Sequence, residues 1–138
     1  MADRAPEKQS WDSQHEENIN DCQYDFYGTT VASCDSNGYI QITGVKPNGG
    51  AEGKPEMFNA HEGPCWQVCF AHPKFDSLLA SCGYDKKVKI WRKTPTQGYQ
   101  EIFCEDLKSS VNCIAWAPWE YGLVLAAGCA EGRVYVFT

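Results

Sequence analysis

The stretch that decides the fold lies in the middle of the chain: His61-Glu-Gly-Pro-Cys-Trp-Gln-Val68, then Leu79-Ala-Ser-Cys82, then Lys87-Val-Lys-Ile-Trp91. Apolar and polar residues alternate along these runs, which is typical of half-buried β-strands. The polar turn Tyr84-Asp85-Lys86 separates the last two runs. Because no segment shows an apolar period of 3.6 residues, the sequence predicts an all-β domain.

The same unit occurs once before and once after this stretch. His15 precedes His61 by 46 residues, and Asp106 follows His61 by 45. The repeated runs are His15-Glu-Glu-Asn-Ile-Asn-Asp-Cys22, Val31-Ala-Ser-Cys34 and Tyr39-Ile-Gln-Ile-Thr43 in the first unit, and Asp106-Leu-Lys-Ser-Ser-Val-Asn-Cys113, Leu125-Ala-Ala-Gly128 and Arg133-Val-Tyr-Val-Phe137 in the third. A weaker fourth strand follows at Glu56–Asn59 and at Tyr99–Cys104. Four antiparallel strands in about 46 residues are typical of a β-propeller blade.

These units predict the organisation of the chain. We expect a disordered N-terminal segment at 1–14, blade 1 at 15–60, blade 2 at 61–105 and an incomplete blade 3 at 106–138. Asn37-Gly38 predicts a type I′ hairpin turn. Residues 44–55, rich in Gly, Pro, Lys and Asn, predict a flexible linker.

Composition excludes several classes of protein. The chain has 138 residues, a net charge of −6 and 43% hydrophobic residues, which suits one globular domain. Its acidity disfavours nucleic acid or an anionic membrane as the main partner. No apolar run reaches the roughly 20 residues of a membrane helix, and no signal peptide follows Met1, so we expect a soluble protein made in the cytosol.

The eight cysteines do not predict a disulfide framework or a metal site. They occur singly in apolar segments without a Cys-x-x-Cys pair. Cys65 and Cys69 lie near His61 and His72, but an alternating strand would place His61 and Cys65 near its opposite ends. We expect reduced thiols that pack as small hydrophobic side chains, and we predict neither a metal nor a cofactor.

Two further groups of side chains have a structural interpretation. Large aromatic residues predict packing between blades, namely Trp66, Trp116, Tyr121 and Tyr135. Basic residues predict a solvated strand face rather than a docking site for an acidic partner, namely Lys86, Lys87, Lys89, Arg92 and Lys93.

The middle unit resembles a WD-repeat blade at four positions, His61, Ser81, Asp85 and Trp91, and this resemblance implies a hydrogen-bonded tetrad. The Trp91 indole would donate toward Ser81, the Ser81 hydroxyl would meet His61, and His61 would meet the Asp85 carboxylate. A hydrolase that uses Ser81 and His61 is the alternative, but no Gly-x-Ser-x-Gly elbow surrounds the serine, and we predict no enzyme activity.

The other two units depart from this pattern. The first keeps His15 and Ser33 but has Asn37 and Thr43 in place of Asp85 and Trp91. The third has lost the tetrad: its corresponding residues are Asp106, Ala127, Glu131 and Phe137.

These tetrad positions resemble those of WD-repeat proteins, and longer runs resemble the Sec-thirteen family of WD-repeat proteins. The runs are Asn20-Asp-Cys-Gln-Tyr-Asp-Phe-Tyr-Gly28, His61-Glu-Gly-Pro-Cys-Trp-Gln-Val-Cys-Phe-Ala-His-Pro73, Leu79-Ala-Ser-Cys-Gly-Tyr-Asp-Lys-Lys-Val-Lys-Ile-Trp-Arg92, Ser109-Ser-Val-Asn-Cys-Ile-Ala-Trp-Ala-Pro118 and Tyr121-Gly-Leu-Val-Leu-Ala126. The resemblance covers residues 15–138, and it implies the N-terminal part of a six-bladed open propeller.

The resemblance also implies a function. The family serves as a scaffold in the COPII vesicle coat of endoplasmic-reticulum-to-Golgi transport and in the nuclear pore complex, so it implies a cytoplasmic protein at the endoplasmic reticulum, at COPII vesicles and at the nuclear pore. A coat protein or nucleoporin partner donates a blade beside the first blade, which implies a partner-binding edge at Asn18, Ile19, Asn20, Asp21 and Cys22. The alternative is a WD-repeat adaptor or a subunit of a paralogous pore or nutrient-signalling complex, which would bind peptides by its top face.

Three blades do not close a propeller, which needs about 4–8. We expect the chain to be a fragment of a longer product. A truncated product that needs its other half, and two copies that pair into a pseudo-ring, are the alternatives.

Overall fold

A computed structural model describes residues 7–138, which form three antiparallel sheets. The first sheet contains β1 (Ile19–Tyr24), β2 (Thr30–Asp35), β3 (Tyr39–Val45) and β4 (Ala51–Asn59); the second contains β5 (Cys65–Phe70), β6 (Leu78–Gly83), β7 (Lys87–Thr94) and β8 (Gly98–Asp106); the third contains β9 (Val111–Trp116), β10 (Leu125–Cys129) and β11 (Val134–Phe137). Short 3₁₀ helices lie at Pro73–Phe75 and Trp119–Tyr121. In each sheet the strands pair in chain order. The prediction of an all-β propeller portion with four-stranded blades and an incomplete last blade is confirmed, and we call the sheets blades 1, 2 and 3.

The same tight turn joins the second and third strands of every blade. The N–H of its fourth residue donates to the carbonyl of its first, over 3.0–3.3 Å. That fourth residue is left-handed in all three blades: Gly38 has φ +86°, Lys86 +73° and Gly132 +89°. The predicted type I′ turn is wrong, because Asn37 lacks the positive φ that such a turn requires of both central residues.

The predicted flexible linker over residues 44–55 is also wrong. Strand β3 continues to Val45 and pairs there with Ala51, so only residues 46–50 form the loop. Lys46 N–H donates to the carbonyl of Gly50, and Gly49 N–H to that of Lys46. The glycine and proline content of this segment suggests a coil, but strand pairing on both sides of the loop satisfies the backbone N–H and C=O groups.

Two hydrophobic clusters hold the blades together. Blade 1 contributes small and branched side chains to the first cluster, including Ala32, Cys34 and Ile40, and blade 2 contributes Leu79 and Trp91. The second cluster joins blades 2 and 3. It contains Ala80, Cys82, Val88, Leu107, Val111, Ile114, Leu125, Ala127 and Cys129. The core of this chain therefore lies between the sheets, not inside any one of them.

Three of the four aromatic residues predicted to pack between blades do so. Trp66, Trp116 and Tyr135 lie against the second cluster. Tyr121 is 77% exposed, so its predicted place in the core is wrong. It belongs to the short 3₁₀ helix in the loop between β9 and β10, and not to a strand.

The cysteines are all free thiols, as the sequence predicts. Cys34, Cys65, Cys82 and Cys129 are buried, which fits their expected packing role, whereas Cys22, Cys104 and Cys113 are exposed. Burial raises the pKa of Cys82 well above its ordinary value and that of Cys69 to about 12, so these two remain neutral thiols at physiological pH.

The predicted basic stripe on β7 faces an acidic strand. Lys87 pairs with Asp106 in the β7–β8 ladder, and Lys89 Nζ lies 3.0 Å from a carboxylate oxygen of Glu101.

The prediction of disorder over residues 1–14 falls partly on 1–6, outside the described residues. Within 7–14, Gln14 N–H donates to the side-chain oxygen of Gln41 over 2.8 Å.

The shared turn provides a matched stability test. A Cβ added at Gly38 would collide with the backbone carbonyl of His61, whereas one added at Gly132 would meet no atom within 4 Å. Both substitutions impose left-handed strain of about 1–2 kcal/mol. We therefore expect Gly132→Ala to lower the free energy of unfolding by about that amount and Gly38→Ala by about 3 kcal/mol or more. Equal losses in urea titrations would contradict the close packing of this turn on blade 2.

Candidate functional site

The four predicted residues of blade 2 form one continuous hydrogen-bonded network. Trp91 Nε1 donates to Ser81 Oγ over 2.9 Å, Ser81 Oγ lies 2.8 Å from His61 Nε2, and His61 Nδ1 lies 2.9 and 3.0 Å from the two Asp85 oxygens. Because a carboxylate only accepts, Nδ1 carries the imidazole proton and Nε2 accepts from the Ser81 hydroxyl. All protons in the network therefore point in one direction, from Trp91 to Asp85.

Asp85 ends this network on the turn between β6 and β7. Partial burial would raise the pKa of this carboxyl, but the hydrogen bond and electrostatic attraction of His61, with the N–H groups of Glu62 and Lys87, hold it below its ordinary value. Asp85 is thus the ionised acceptor that fixes the imidazole of His61.

The connectivity matches that of a hydrolase triad, but its surroundings do not. Ser81 is 0% exposed and its oxygen already accepts the indole N–H of Trp91, while His61 is 1% exposed. A nucleophile needs a substrate within reach. The arrangement joins the loop before β5 to strands β6 and β7, which is a structural role.

Blade 1 has a second histidine network, with a different carboxylate from the one that the sequence predicts. His15 Nε2 lies 2.8 Å from Ser33 Oγ, and His15 Nδ1 lies 2.6 Å from a carboxylate oxygen of Asp35. Asn37 is not that partner. Instead, its backbone N–H donates to the second oxygen of Asp35, as does that of Tyr39, both over 2.9 Å. Asp35 is the last residue of β2. It lies two residues before the position in blade 1 that corresponds to Asp85 in blade 2.

Blade 3 replaces the network with apolar side chains. Cys65 pairs with Gly83 in blade 2 and Val111 with Cys129 in blade 3, so the two registers differ by 46 residues. This offset places Leu107, not Asp106, at the position of His61. Leu107 is 4% exposed and Ala127 is 1% exposed, so this corner of blade 3 is a packed apolar one.

A repeated hydrogen bond links neighbouring inner strands. Asp21 Oδ2 accepts from Val68 N–H over 3.2 Å, and Gln67 Oε1 accepts from Ile114 N–H over 3.0 Å. Donors and acceptors of the two bonds are each 46 residues apart in the chain. In both pairs of neighbouring blades, a side chain of one inner strand therefore accepts a hydrogen bond from the backbone of the next inner strand.

The residues of the predicted partner-binding edge of blade 1 lie on two different faces of the blade. Asn20 Nδ2 donates to the carbonyl of Cys65 over 3.1 Å, so Asn20 and Asp21 both face blade 2. Ile19 and Cys22 line the opposite face. The backbone carbonyl of Asn18 accepts from Ser36 N–H. Of the five residues of the predicted edge, Ile19 and Cys22 line a groove on the face of blade 1 away from blade 2.

That open face of blade 1 contains a groove of about 420 Å³. Its lining includes Trp11, Ile19, Cys22, Tyr24 and Val31. Ile19 is 50% and Tyr24 60% exposed. The N-terminal segment reaches this face through Trp11 and Ser13, but within residues 7–138 no sheet packs on it as blade 1 packs on the corresponding face of blade 2.

Comparisons with known proteins agree with this geometry. The family model described as "WD domain, G-beta repeat" matches residues 8–43 and 54–92, together more than half of the chain. The chain belongs to the WD-repeat family. Its relatives include Protein SEC13 homolog of Drosophila melanogaster, at 40% identity over 131 residues, and Protein transport protein SEC13 of Cryptococcus neoformans, at 39% over 139 residues. Protein transport protein SEC13 of Mycosarcoma maydis is 36% identical over 151 residues.

These relatives confirm the predicted resemblance and show its extent. They cover 94, 92 and 92% of this WD-repeat chain, but the chain spans only 36, 42 and 41% of their respective lengths. Within residues 7–138, no helix is long and apolar enough to cross a bilayer. The same residues contain no cluster of three or more His, Cys, Asp or Glu side chains arranged to hold a metal ion.

Removal of the Ser81 hydroxyl should destabilise blade 2. Ser81→Ala leaves the Trp91 indole N–H and His61 Nε2 without partners in a buried site, so we expect the free energy of unfolding to fall by about 1–3 kcal/mol. Ser33→Ala should cost less, because Ser33 has no tryptophan donor. Exposed Ser77→Ala is the control, and chemical denaturation is the measurement. Unchanged stability with loss of an ester-hydrolysing activity would overturn the structural role.

The lowered pKa of Asp85 predicts a specific loss of stability in acid. A carboxyl whose pKa is lower in the folded than in the unfolded state stabilises the fold above the unfolded value, ordinarily 3.8, and the stabilisation is lost as pH falls through the folded value. We expect Asp85→Asn to narrow the difference in unfolding free energy between pH 6 and pH 3, measured by urea titration. Parallel pH profiles for the two proteins would refute this contribution.

Proposed function

We propose that this WD-repeat chain is part of a non-catalytic scaffold of a vesicle coat in protein transport, and that its partner completes the propeller beside blade 1. The first support is the resemblance to proteins named for protein transport. The second is the uncovered face of blade 1. The function is mechanical: the sheets hold a fixed surface on which the partner's strands pack.

The open face of blade 1 supports this proposal most strongly, because the corresponding face of blade 2 is an internal interface. Val68, Leu79 and Trp91 are 1, 0 and 6% exposed in blade 2, where blade 1 covers them. At the same register positions blade 1 has Cys22, Val31 and Thr43. Cys22 is exposed and Val31 is half-buried, whereas Thr43 is 4% exposed. An apolar sheet face of this kind is completed by added strands, whose backbone and side chains bury it.

In detail, we propose that the partner is a strand-donating protein of the COPII cage or a nucleoporin. The site of action would be the cytoplasmic surface of the endoplasmic reticulum and of COPII vesicles, or the nuclear pore complex. Ile19 and Cys22 would border the donated blade. Asn20 and Asp21 would act indirectly, since they hold β1 against blade 2.

The experiment is affinity purification of the endogenous protein that carries these residues, with mass spectrometry of bound proteins. We expect a coat protein or nucleoporin to be recovered, and Val31→Asp to weaken its binding at least tenfold, about 1.4 kcal/mol. Ile102→Asp is the matched control, because Ile102 is an exposed strand residue of blade 2, which already has a neighbouring blade on each face. Circular dichroism of both variants checks folding. Equal recovery with both variants, or recovery of soluble peptides without any strand-donating protein, would contradict the proposal.

A further inference from the structure

Exposed aromatic side chains meet at one end of the three blades, in the loops that join each first strand to the second. Phe26 lies 4.5 Å from His72, and His72 lies 5.0 Å from Trp119, measured between ring centroids. Tyr27 packs edge-on against Phe26 at 5.4 Å. We call Phe26, Tyr27, His72, Trp119 and Tyr121 the aromatic ridge. Each blade contributes at least one residue to it, although the loops are far apart in the chain.

The ridge is unusually exposed for its composition. Phe26 is 62%, Tyr27 68%, Trp119 43% and Tyr121 77% exposed. An exposed group of large aromatic rings marks an interaction surface, because leaving such area in water is unfavourable. The ring contacts and the Lys74 ammonium, 4.8 Å from the centre of the Trp119 ring, hold the surface in place before any ligand arrives.

A groove of about 220 Å³ lies beside the ridge, between blades 1 and 2. Phe26 and Tyr27 form one side of it, and Phe70, Leu78 and Tyr99 also line it. Burial, with smaller effects of nearby carboxylates, raises the pKa of Tyr99 to about 12, so its hydroxyl stays protonated. The groove is large enough for one or two apolar side chains.

The aromatic rings of this surface carry hydrogen-bond donors, and the tyrosine hydroxyls can accept as well as donate. Within residues 7–138, nothing accepts a hydrogen bond from the indole N–H of Trp119 or from the hydroxyls of Tyr27, Tyr99 and Tyr121. Flat rings that carry free donors suit a ligand with exposed carbonyl groups and few N–H groups. A proline-rich segment in the polyproline II conformation has that chemistry, because proline lacks an N–H and its carbonyls point outward.

The spacing of the rings fits the same ligand. Three residues of polyproline II, one turn, rise roughly 9 Å. The centroid steps of 4.5 Å from Phe26 to His72 and 5.0 Å from His72 to Trp119 place the two outer rings no farther apart than about one such turn. Prolines one turn apart on the same side of the helix would therefore reach both outer rings.

A strained acidic residue lies at the rim of the groove. Asp76 has φ +86° and ψ 179°, a conformation that glycine adopts readily and other residues rarely. Gly122, 46 residues later, has φ +93° at the same place in blade 3. The carboxylate of Asp76 accepts from the N–H of Ser77 over 2.8 Å, and it lines the groove with a second carboxylate, Asp25, and one ammonium, Lys93. The charged lining is therefore net negative, which suits a basic residue of the ligand.

We propose that the aromatic ridge and its groove bind a proline-rich segment of a partner protein, with Asp76 facing a basic residue that flanks the prolines. This surface is separate from the open face of blade 1, so the inference does not depend on the proposed function. The prolines pack against the rings, and the free N–H and O–H groups donate to the peptide carbonyls.

The test is a titration of the chain with two synthetic decaproline peptides, one with a C-terminal arginine and one without, followed by calorimetry. We expect saturable binding of both and tighter binding of the arginine peptide. Trp119→Ala should weaken binding roughly tenfold. Asp76→Gly should remove the preference for arginine while raising the melting temperature, because it relieves the strained backbone.

Tyr84→Ala is the matched control, since Tyr84 is 62% exposed, as Phe26 is, but lies on the turn at the opposite end of blade 2. It should leave peptide affinity unchanged. A length-matched Gly-Ser peptide should not bind. Failure of both proline peptides to saturate, equal losses for Tyr84→Ala and Trp119→Ala, or binding only to phosphatidylcholine–phosphatidylserine vesicles would overturn the proposal.

Discussion

Every blade of this chain depends on the sheet beside it. A twisted sheet of three or four short strands has little interior of its own, and both of its faces carry apolar side chains. Small residues on the middle strand make close approach possible, with Ala32 and Cys34 at the first interface and Ala80 and Cys82 at the second, all 0% exposed. Because the interface is the core, stability and the capacity to bind another blade have one physical origin.

Hydrogen bonds between the inner strands of neighbouring blades orient this packing. A side chain of one blade accepts from the backbone of the following one, through Asp21 to Val68 and through Gln67 to Ile114. The bond satisfies an N–H that the blade's own ladder leaves unpaired. It also fixes the register between blades, which nonpolar packing alone specifies poorly. The same logic explains why Asn20 and Asp21, on the innermost strand, both bond to blade 2.

The sequence predicts the repeat, the strands and the tetrad of blade 2, because each leaves a local signal: alternation of apolar residues, a constant period, and polar residues at fixed spacing. It fails where a contact depends on register. Asp35 and Asn37 both lie in the turn after β2, and only the backbone geometry shows that the carboxylate nearer the strand meets His15. The triplet Ser33-Cys34-Asp35 was the available signal. Tyr121 was misplaced because an aromatic residue near a strand has no pattern that separates core from loop surface.

The three blades also show which versions of the histidine network are physically consistent. Blade 2 has every member paired, whereas blade 3 has apolar Leu107, Ala127 and Phe137 in the register positions of His61, Ser81 and Trp91. Both arrangements leave no buried polar group unpaired, which is the costly state. Blade 1 lies between them: it has Thr43 at the register position of the tryptophan, and the Thr43 hydroxyl accepts from the side-chain amide of Gln41 over 3.1 Å. A blade can therefore lose the whole network or rebuild it around new partners, but it cannot lose one member alone without cost. In blade 2 the network lies next to the interface with blade 1, since Trp91 belongs to the first cluster, and in blade 1 Ser33 and Thr43 line the groove of the open face. A change in the network therefore also changes the face on which a neighbouring blade packs.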